Sequence, residues 1–170
     1  MVGEYKSLTH TFEPVYDEEA KVLILGTFPS VKSREINFYY GHPQNRFWKM
    51  VAAVTESDIP GTIEEKKELL LANHIAVWDV IKSCDIIGSS DSSIKNVVAN
   101  DIAGLLKKTN ITTIVANGAT AERLYNVYAL PQTGIEIIKM PSTSPANAAW
   151  SLERLCREWG KVIGNQYQIK

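Results

Sequence analysis

The chain has 170 residues, of which 45% are hydrophobic and 22% are charged, a composition typical of a globular domain and not of a disordered or fibrous protein. Its formal net charge is −1, so no overall positive field attracts nucleic acid, and any surface that binds a polyanion must be a local patch. The length predicts a single domain over residues 1–170.

Two cysteines, Cys84 and Cys156, lie far apart in the sequence. They exclude a four-cysteine metal cluster and a disulfide scaffold, and we expect both to be reduced thiols. No apolar run approaches the roughly 20 residues that span a bilayer, and the first residues lack the apolar core of a signal peptide. We therefore expect an intracellular, cytoplasmic protein without a membrane partner.

The first predicted strand is the apolar run KVLILG at residues 21–26. Continuous apolar runs of this length are typical of strands that are buried on both faces, as in a parallel sheet. The strand leads into the segment GTFP, in which Gly26 and Pro29 predict a tight, rigid loop whose backbone amides can face a ligand.

The segment FYYGHPQNRFW at residues 38–48 combines aromatic residues with a histidine, a glycine, a proline and two amides. It is too polar for a core strand and too interrupted for one helix. Pro43 suits the first position of a helix, which would place Asn45 in the first helical turn. We assign Phe47 to the core. The spacing leaves open whether Asn45 is a local cap and whether Tyr40 only packs.

A capping box opens the next predicted helix, TIEEKKELLLAN. Thr62 stands three residues before Glu65, so the hydroxyl and the carboxylate can each satisfy a free backbone N–H. The apolar run HIAVWDV at residues 74–80 then predicts a second buried strand.

Two further strands alternate with helices in the second half of the chain. The segment NDIAGLLKKTN predicts a helix that starts at Asn100 or Asp101, and residues 111–118 predict the third strand. The segment GATAERLYNVY predicts a helix directly after that strand, and residues 134–140 predict the fourth strand.

A hydroxyl-rich loop, MPSTSPANA, follows the fourth strand, and its two prolines stiffen it. Its hydroxyls suit contacts with a phosphate backbone and an N-terminal cap of the last helix equally well. That helix is predicted from about Asn147. It carries an apolar stripe that we expect to pack against the sheet, consisting of Trp150, Leu155, Trp159, Val162 and Ile163.

Strands that alternate with helices predict an α/β fold with three layers, α/β/α, around a central, mainly parallel four-stranded sheet. In such sheets the ligand crevice lies beyond the carboxyl ends of the strands. The sequence contains no Walker loop, dinucleotide fingerprint, HxxEH or GxSxG motif, and its three histidines, His10, His42 and His74, have no ligand spacing. We therefore expect neither a metal nor another cofactor.

Four of these segments together resemble the uracil-DNA glycosylase superfamily. GTFP is similar to its first motif, GHPQNRFWKMV to the HPxNRFWK segment of the mismatch-specific uracil and thymine glycosylases, VANGATAERLY to its third-strand NG turn, and MPSTSPANA to its second motif. The resemblance covers residues 21–163. It is closest to the hypoxanthine-DNA glycosylases, on FYYGHPQN, VWDVIKSCDIIGSSDSSI and PSTSPANA. It implies a base excision repair enzyme that removes a deaminated base from its partner, DNA.

The resemblance assigns catalysis to Asn45. Most branches carry an Asp or Asn two residues after the motif glycine, Gly26, but this chain carries Phe28, which cannot position water. An amide cannot act as a general base near neutral pH, so Asn45 would orient water or hydrogen-bond the base. Tyr40 would stack on the flipped base, and Asp79 would accept from N1–H of hypoxanthine or bind water.

The remaining site residues follow from the same resemblance. The residues expected around the base, besides Tyr40 and Asp79, are Gly26, Phe28 and Asn117. The residues expected to contact DNA are Ser142, Thr143 and Ser144 at the phosphates, and Ala146 and Asn147 where the superfamily inserts a wedge into the duplex. We also expect a local basic patch of Lys32, Arg34, Arg46 and Lys49, and a monomeric protein.

Three other functions remain open. The base could be uracil, or uracil or thymine mispaired with guanine, although Phe28 and Met140 stand where the usual Asp/His pair for uracil excision would be. The chain could instead be a non-catalytic module that binds damaged DNA. An α/β hydrolase of small metabolites is the least favoured, since no nucleophile elbow is present.

Overall fold

The computed structural model describes residues 3–164. The elements within this range are, in chain order, β1 (Lys6–Thr9), β2 (Val22–Gly26), α1 (Val31–Ile36), α2 (Phe47–Val54), α3 (Ile63–Ala72), β3 (Ile75–Asp79), β4 (Ile81–Ile86), β5 (Lys95–Ala99), α4 (Ile102–Lys107), β6 (Thr113–Asn117), α5 (Ala119–Tyr128), α6 (Leu130–Thr133), β7 (Ile137–Met140) and α7 (Leu152–Ile163). A short 3-10 turn, Asp91–Ser93, connects β4 to β5.

A four-stranded sheet in the order β3-β2-β6-β7 forms the centre of the molecule. All three pairings are parallel, which confirms the predicted sheet and its four predicted strands. The register places Gly26 opposite Asp79 and Asn117 opposite Met140. The carboxyl ends of the four strands therefore lie at one edge, where the crevice was expected.

Strand β2 shows how the sheet divides the core into two layers, because its successive side chains point to opposite faces. Val22 and Ile24 pack into the cluster that includes residues of α2, α3 and α7. Leu23 and Leu25 pack into the cluster that includes residues of α4 and α5. The helices thus cover both faces, and the predicted three-layer α/β/α fold is confirmed.

A second sheet, β1-β4-β5, is antiparallel, and the sequence did not predict it. Its strands are partly exposed and mix polar with apolar residues, so they lack the continuous apolar runs that revealed the central strands. A single residue, Val80, separates β3 from β4. The Asn100 amide secures this junction, since Nδ2 donates to the carbonyls of Asp79 and Ile81 at 2.9 and 3.2 Å.

Two predicted helix starts are wrong, and those of α3, α4 and α5 are confirmed. The helix expected at Pro43 begins only at Phe47, because the Arg46 N–H donates to Thr143 O at 3.1 Å and the chain before it forms turns. The last helix begins at Leu152 rather than near residue 147. The capping box of α3 is present as predicted, with Thr62 and Glu65 exchanging hydrogen bonds.

Within residues 3–164, no helix is both long enough and apolar enough to cross a bilayer. In the same range, no three His, Cys, Asp or Glu side chains are grouped so that they could hold a metal ion.

Candidate active site

A pocket of about 380 Å³ opens at the carboxyl edge of the central sheet. Its lining combines the ends of β2, β3 and β6 with the loops after β2, β4 and β7. Every sequence-predicted site residue except Asn147 lies in this lining, which consists of Gly26, Thr27, Phe28, Pro29, Ser30, Ser33, Tyr39, Tyr40, Asn45, Asp79, Ser89, Ser90, Asp91, Asn117, Ser142, Thr143, Ser144 and Ala146.

Asn45 is held by two donors on the same atom. Its Oδ1 accepts from the Phe47 backbone N–H at 2.9 Å and from the Thr143 hydroxyl at 2.8 Å. Because an N–H can only donate, the orientation of the amide is fixed. Among residues 3–164, no acceptor is bonded to Asn45 Nδ2, so this group remains available as a donor in the pocket.

Thr143 connects Asn45 to Asn117. The Asn117 Nδ2 group donates to Thr143 Oγ1 at 3.0 Å, and the Thr143 N–H donates to Asn117 Oδ1 at 3.0 Å. Thr143 is fully buried, so its side chain positions Asn45 and does not reach the surface. Asn117, expected beside the base, uses both amide atoms to hold this loop.

Arg46 fixes the rest of the same loop from the inside. Its guanidinium donates to the carbonyls of Ser144 at 2.9 Å and Asn147 at 3.2 Å, and also to those of Thr143 and Trp150. Arginine suits this role because its donors form a rigid, planar fork. The Arg46 guanidinium therefore binds backbone carbonyls of the protein and does not belong to an exposed basic patch.

Two serines shape the outer part of the loop. Ser142 Oγ accepts from the Ser144 N–H, and Ser144 Oγ accepts from the Ala146 N–H, each at 3.1 Å. Asn147 lies outside the pocket and donates from Nδ2 to the Ser142 carbonyl at 3.0 Å. Within the described part of the chain, both serine hydroxyl hydrogens are left without a protein acceptor.

Tyr40 forms part of the pocket wall in a left-handed backbone conformation, with φ +52°. One face of its ring stacks on Phe47 at a centroid distance of 4.0 Å. Its hydroxyl is buried without a hydrogen bond of good geometry among residues 3–164. Burial, and then the charge of Asp79, raise the pKa of Tyr40, while the nearby Asn117 amide lowers it by less.

Asp79 lies at the bottom of the pocket and is 4% exposed. Its Oδ2 atom lies 2.8 Å from Nε2 of His10, which is equally buried. A Cβ built on Gly26 would come within 2.5 Å of Asp79 Oδ1 and 3.1 Å of the Tyr40 hydroxyl. Glycine at position 26 therefore leaves room for both polar atoms next to the sheet edge.

Phe28 and Asp91 complete the pocket. The Phe28 ring packs edge-on against His10 at 6.2 Å and lies below the Arg34 guanidinium at 5.8 Å. Asp91, together with Ser89 and Ser90, reaches the pocket from the turn between β4 and β5. Although the residue as a whole is exposed, protein atoms around the Asp91 carboxyl and then the charge of Asp79 raise its pKa.

Comparison with known proteins identifies the family. The family model described as "Uracil DNA glycosylase superfamily" matches residues 13–162. The chain belongs to the uracil DNA glycosylase superfamily. A protein from Methanosarcina acetivorans named hypoxanthine DNA glycosylase is 37% identical over 154 residues, which are 89% of this chain and 96% of that protein.

Two further similarities extend over most of the chain. A protein from Methanosarcina barkeri, also named hypoxanthine DNA glycosylase, is 32% identical over 138 residues, 80% of this chain and 86% of that protein. The solution NMR structure of a Methanosarcina acetivorans protein assigned to the uracil DNA glycosylases superposes with a TM-score of 0.77 and 35% identity. It covers 89% of this chain and 94% of that one. The predicted superfamily is confirmed.

Sequence reasoning missed two contributions to the glycosylase pocket. His10 was considered only as a metal ligand, and the segment that carries Ser89 and Asp91 was used for the resemblance but not for the site. Both come from the antiparallel sheet or its turn. The polar run GSSDSS after β4 was the available signal, whereas nothing in THTF distinguished His10.

Of the predicted basic patch, only Lys49 is an exposed cation that forms no hydrogen bond or ion pair with residues 3–164. Lys32 pairs with Glu35 at 3.3 Å on the surface. Arg34 donates to the carbonyls of Pro29 at 2.7 Å and Gly88 at 3.2 Å.

Proposed function

We propose that this protein is a monofunctional DNA glycosylase that hydrolyses the N-glycosidic bond of a flipped deaminated base, hypoxanthine. The observation that carries the proposal is the fixed Asn45 amide, which faces a pocket that also contains the buried Asp79 carboxylate. The names of the two Methanosarcina relatives support hypoxanthine as the base.

The geometry restricts what Asn45 does in this reaction. Asn45 Oδ1 accepts two hydrogen bonds from the protein itself, from the Phe47 N–H and the Thr143 hydroxyl. It therefore receives neither a proton nor a hydrogen bond from attacking water. We infer that Nδ2 donates to the departing purine and stabilises the electrons left by the broken bond. The sugar becomes cation-like as the bond breaks, and water then adds to it.

The opposite edge of the purine is assigned to Asp79. A carboxylate accepts hydrogen bonds, and N1–H of hypoxanthine is a donor, whereas N1 of adenine is an acceptor. Tyr40 offers the ring face that Phe47 does not cover for stacking on the base, an interaction worth about 1–3 kcal/mol per base. This contact offsets the free energy of taking the nucleotide out of the duplex.

The loop at residues 142–147 is the proposed DNA contact. Ser142 and Ser144 retain hydroxyl hydrogens for phosphate oxygens, Ala146 is exposed, and Asn147 supports the loop. Thr143 contributes from the inside through Asn45. We propose that one copy of the chain acts on one lesion, which sedimentation of the protein with and without DNA would test.

The decisive experiment measures base release from oligonucleotides that carry one deoxyinosine or one deoxyuridine, as duplexes and as single strands. Asn45→Ala should reduce inosine excision about 100-fold or more, because one donor to a developing charge is lost. Asn45→Asp keeps the internal acceptor but replaces the donor, and we expect the same loss. Asn110→Ala, an exposed asparagine outside the pocket, is the control.

A second candidate is uracil, favoured by the NMR structure of the relative assigned to the uracil DNA glycosylases. Excision of uracil alone would replace hypoxanthine as the substrate and would change the interpretation of Phe28. DNA binding without excision of either base would instead support a non-catalytic module.

A further inference from the structure

The histidine bonded to Asp79 lies outside the stretch that the superfamily model matches, which begins at residue 13. His10 directly follows β1 and hence belongs to the antiparallel sheet, not to the central one. Its Nε2 lies 2.8 Å from Asp79 Oδ2, and both side chains are almost completely buried. No function assigned so far to the pocket uses this pair.

We propose that His10 is a positioning residue that makes Asp79 a one-sided hydrogen-bond acceptor for the N–H edge of the flipped base. This role rests on the proposed glycosylase function. Two oxygens of a carboxylate accept hydrogen bonds, and His10 occupies one of them. The other, Oδ1, lies beside Gly26 at the edge of the sheet, where Asp79 lines the pocket.

The pair also bears on which bases Asp79 accepts. Hypoxanthine presents N1–H, a donor, to the oxygen that His10 leaves free, whereas adenine presents the lone pair of N1. The contact between His10 Nε2 and Asp79 Oδ2 holds the carboxylate plane, so Oδ1 meets the edge of the base in one orientation. Without His10 the carboxylate could turn, and the contact that distinguishes the two bases would weaken.

The surroundings of His10 hold its ring in the orientation that this role requires. The ring packs against Phe12 at 4.5 Å and Tyr39 at 5.9 Å. The backbone N–H of His10 donates to the Lys82 carbonyl at 2.7 Å, which continues the β1–β4 pairing. The antiparallel sheet therefore positions one polar atom, His10 Nε2, at the end of β3.

The test compares three variants in single-turnover excision. His10→Leu removes the donor and His10→Gln retains an N–H near the position of Nε2. Thr11→Ala, the matched control, removes the exposed hydrogen bond from the neighbouring Thr11 hydroxyl to Asn37 Oδ1 and leaves the ring contacts of His10 in place. We expect His10→Leu to slow inosine excision about 10- to 100-fold, the loss typical of a hydrogen bond to a charged group. His10→Gln should recover part of this rate, and Thr11→Ala should stay near the wild type.

A second substrate distinguishes a lost contact with the N1–H of the base from a general disturbance of the structure. Deoxynebularine carries a purine without N1–H and without the 6-oxygen. We expect the ratio of inosine to nebularine excision to fall in His10→Leu and to stay unchanged in Thr11→Ala. In an Asp79→Asn background, His10→Leu should have little further effect, because residues that act as one unit are not additive.

Nitrogen-15 spectra of the imidazole groups test the pair without any substrate. Only three histidines are present, so the His10 signals can be assigned by comparison with His10→Gln. We expect a slowly exchanging Nε2–H that changes in Asp79→Asn. Equal excision and equal base ratios in His10→Leu and Thr11→Ala would overturn the positioning role alone. No inosine excision by the wild type would overturn the proposed function, and the positioning role with it.

Discussion

Two walls of the pocket are each held from behind by an arginine that donates to backbone carbonyls, but the walls differ in the number of hydrogen bonds that fix them. Arg46 donates to carbonyls that all belong to residues 143–150, and Asn45, Asn117 and Thr143 add side-chain bonds to the same loop. Arg34 joins two separate segments through Pro29 and Gly88. Among residues 3–164, the turn that Arg34 contacts has one further hydrogen bond to another segment, from the Val31 N–H to Ser89 Oγ, and its other bonds, such as that from the Ile87 N–H to Ser93 Oγ, stay within the turn.

The difference agrees with the catalytic role proposed for the wall that carries Asn45. A donor must be positioned precisely to stabilise a transition state, whereas a wall that only admits or excludes a base tolerates motion. The wall with Asn45 is fixed by several mutually dependent hydrogen bonds. The wall with Ser89 and Asp91 is exposed and has few anchors.

Arg46→Gln should produce the largest loss of stability. It removes charge-assisted bonds to several carbonyls of one loop, and we expect the free energy of unfolding to fall by about 3 kcal/mol. Arg34→Gln, which removes bonds to two carbonyls at a more adaptable site, should lower it by about 1 kcal/mol. Urea denaturation of both variants measures the contrast. Equal losses would show that the two walls are constrained alike.

Thr143→Val tests the fixed wall with almost no change in shape. The variant leaves Asn45 Oδ1 with one donor and Asn117 Nδ2 without an acceptor, so we expect inosine excision to slow about 10- to 100-fold. The free energy of unfolding should fall by about 1–2 kcal/mol. Thr143→Ser keeps the hydroxyl and is the matched control. A Ser variant as slow as the Val variant would count against the hydrogen-bond explanation.

Ser89→Ala should have a small effect, because it removes a single exposed anchor from the adaptable wall. We expect a loss of about 0.5–1 kcal/mol in the free energy of unfolding and a change in excision rate of less than about threefold. Ser92→Ala, in the same turn but outside the pocket lining, is the control. A tenfold slower Ser89 variant would mean that this wall, too, is required in a fixed position.

Asp91→Asn should change stability least among these variants. The pH dependence of this change tests whether it comes from the raised pKa of Asp91. The raised pKa of Asp91 means that the folded state holds this proton more tightly than the unfolded chain does. Stability is therefore lost as the pH rises from the unfolded pKa, about 3.9, through the folded pKa. We expect the variant to melt about 1–2 °C higher than the wild type at pH 7, and this difference to vanish below about pH 4. A difference independent of pH would refute this explanation.

The central sheet was readable from the sequence because each of its strands is a continuous apolar run, and the expected edge indeed carries Gly26, Asp79 and Asn117. The antiparallel sheet was not readable. Its strands are partly exposed and mix polar with apolar residues, and β1 pairs with a strand that is distant in sequence. Local periodicity contains no information about such pairings.

The same limit explains the errors at the site. Pro43 is locally suited to start a helix, but the bond between Arg46 and Thr143, nearly one hundred residues apart, gives the chain another path. Arg46 was expected on the surface because charged residues usually are. The sequence does not predict that His10 contacts Asp79, because their proximity depends on the β1–β4 register.

The Arg46 contacts also bear on how a chain with net charge −1 approaches a polyanion. The carbonyl oxygens of Ser144 and Asn147 are turned toward the guanidinium, so their partial negative charge is neutralised within the protein. What the loop offers on its outer side are the hydroxyl hydrogens of Ser142 and Ser144. Contacts from these two hydroxyls to phosphate oxygens would displace few counterions, since a hydroxyl is a dipole and not a cation. Affinity for DNA should therefore decline only shallowly as salt is added, and recognition should depend on the shape of the backbone at the extruded nucleotide.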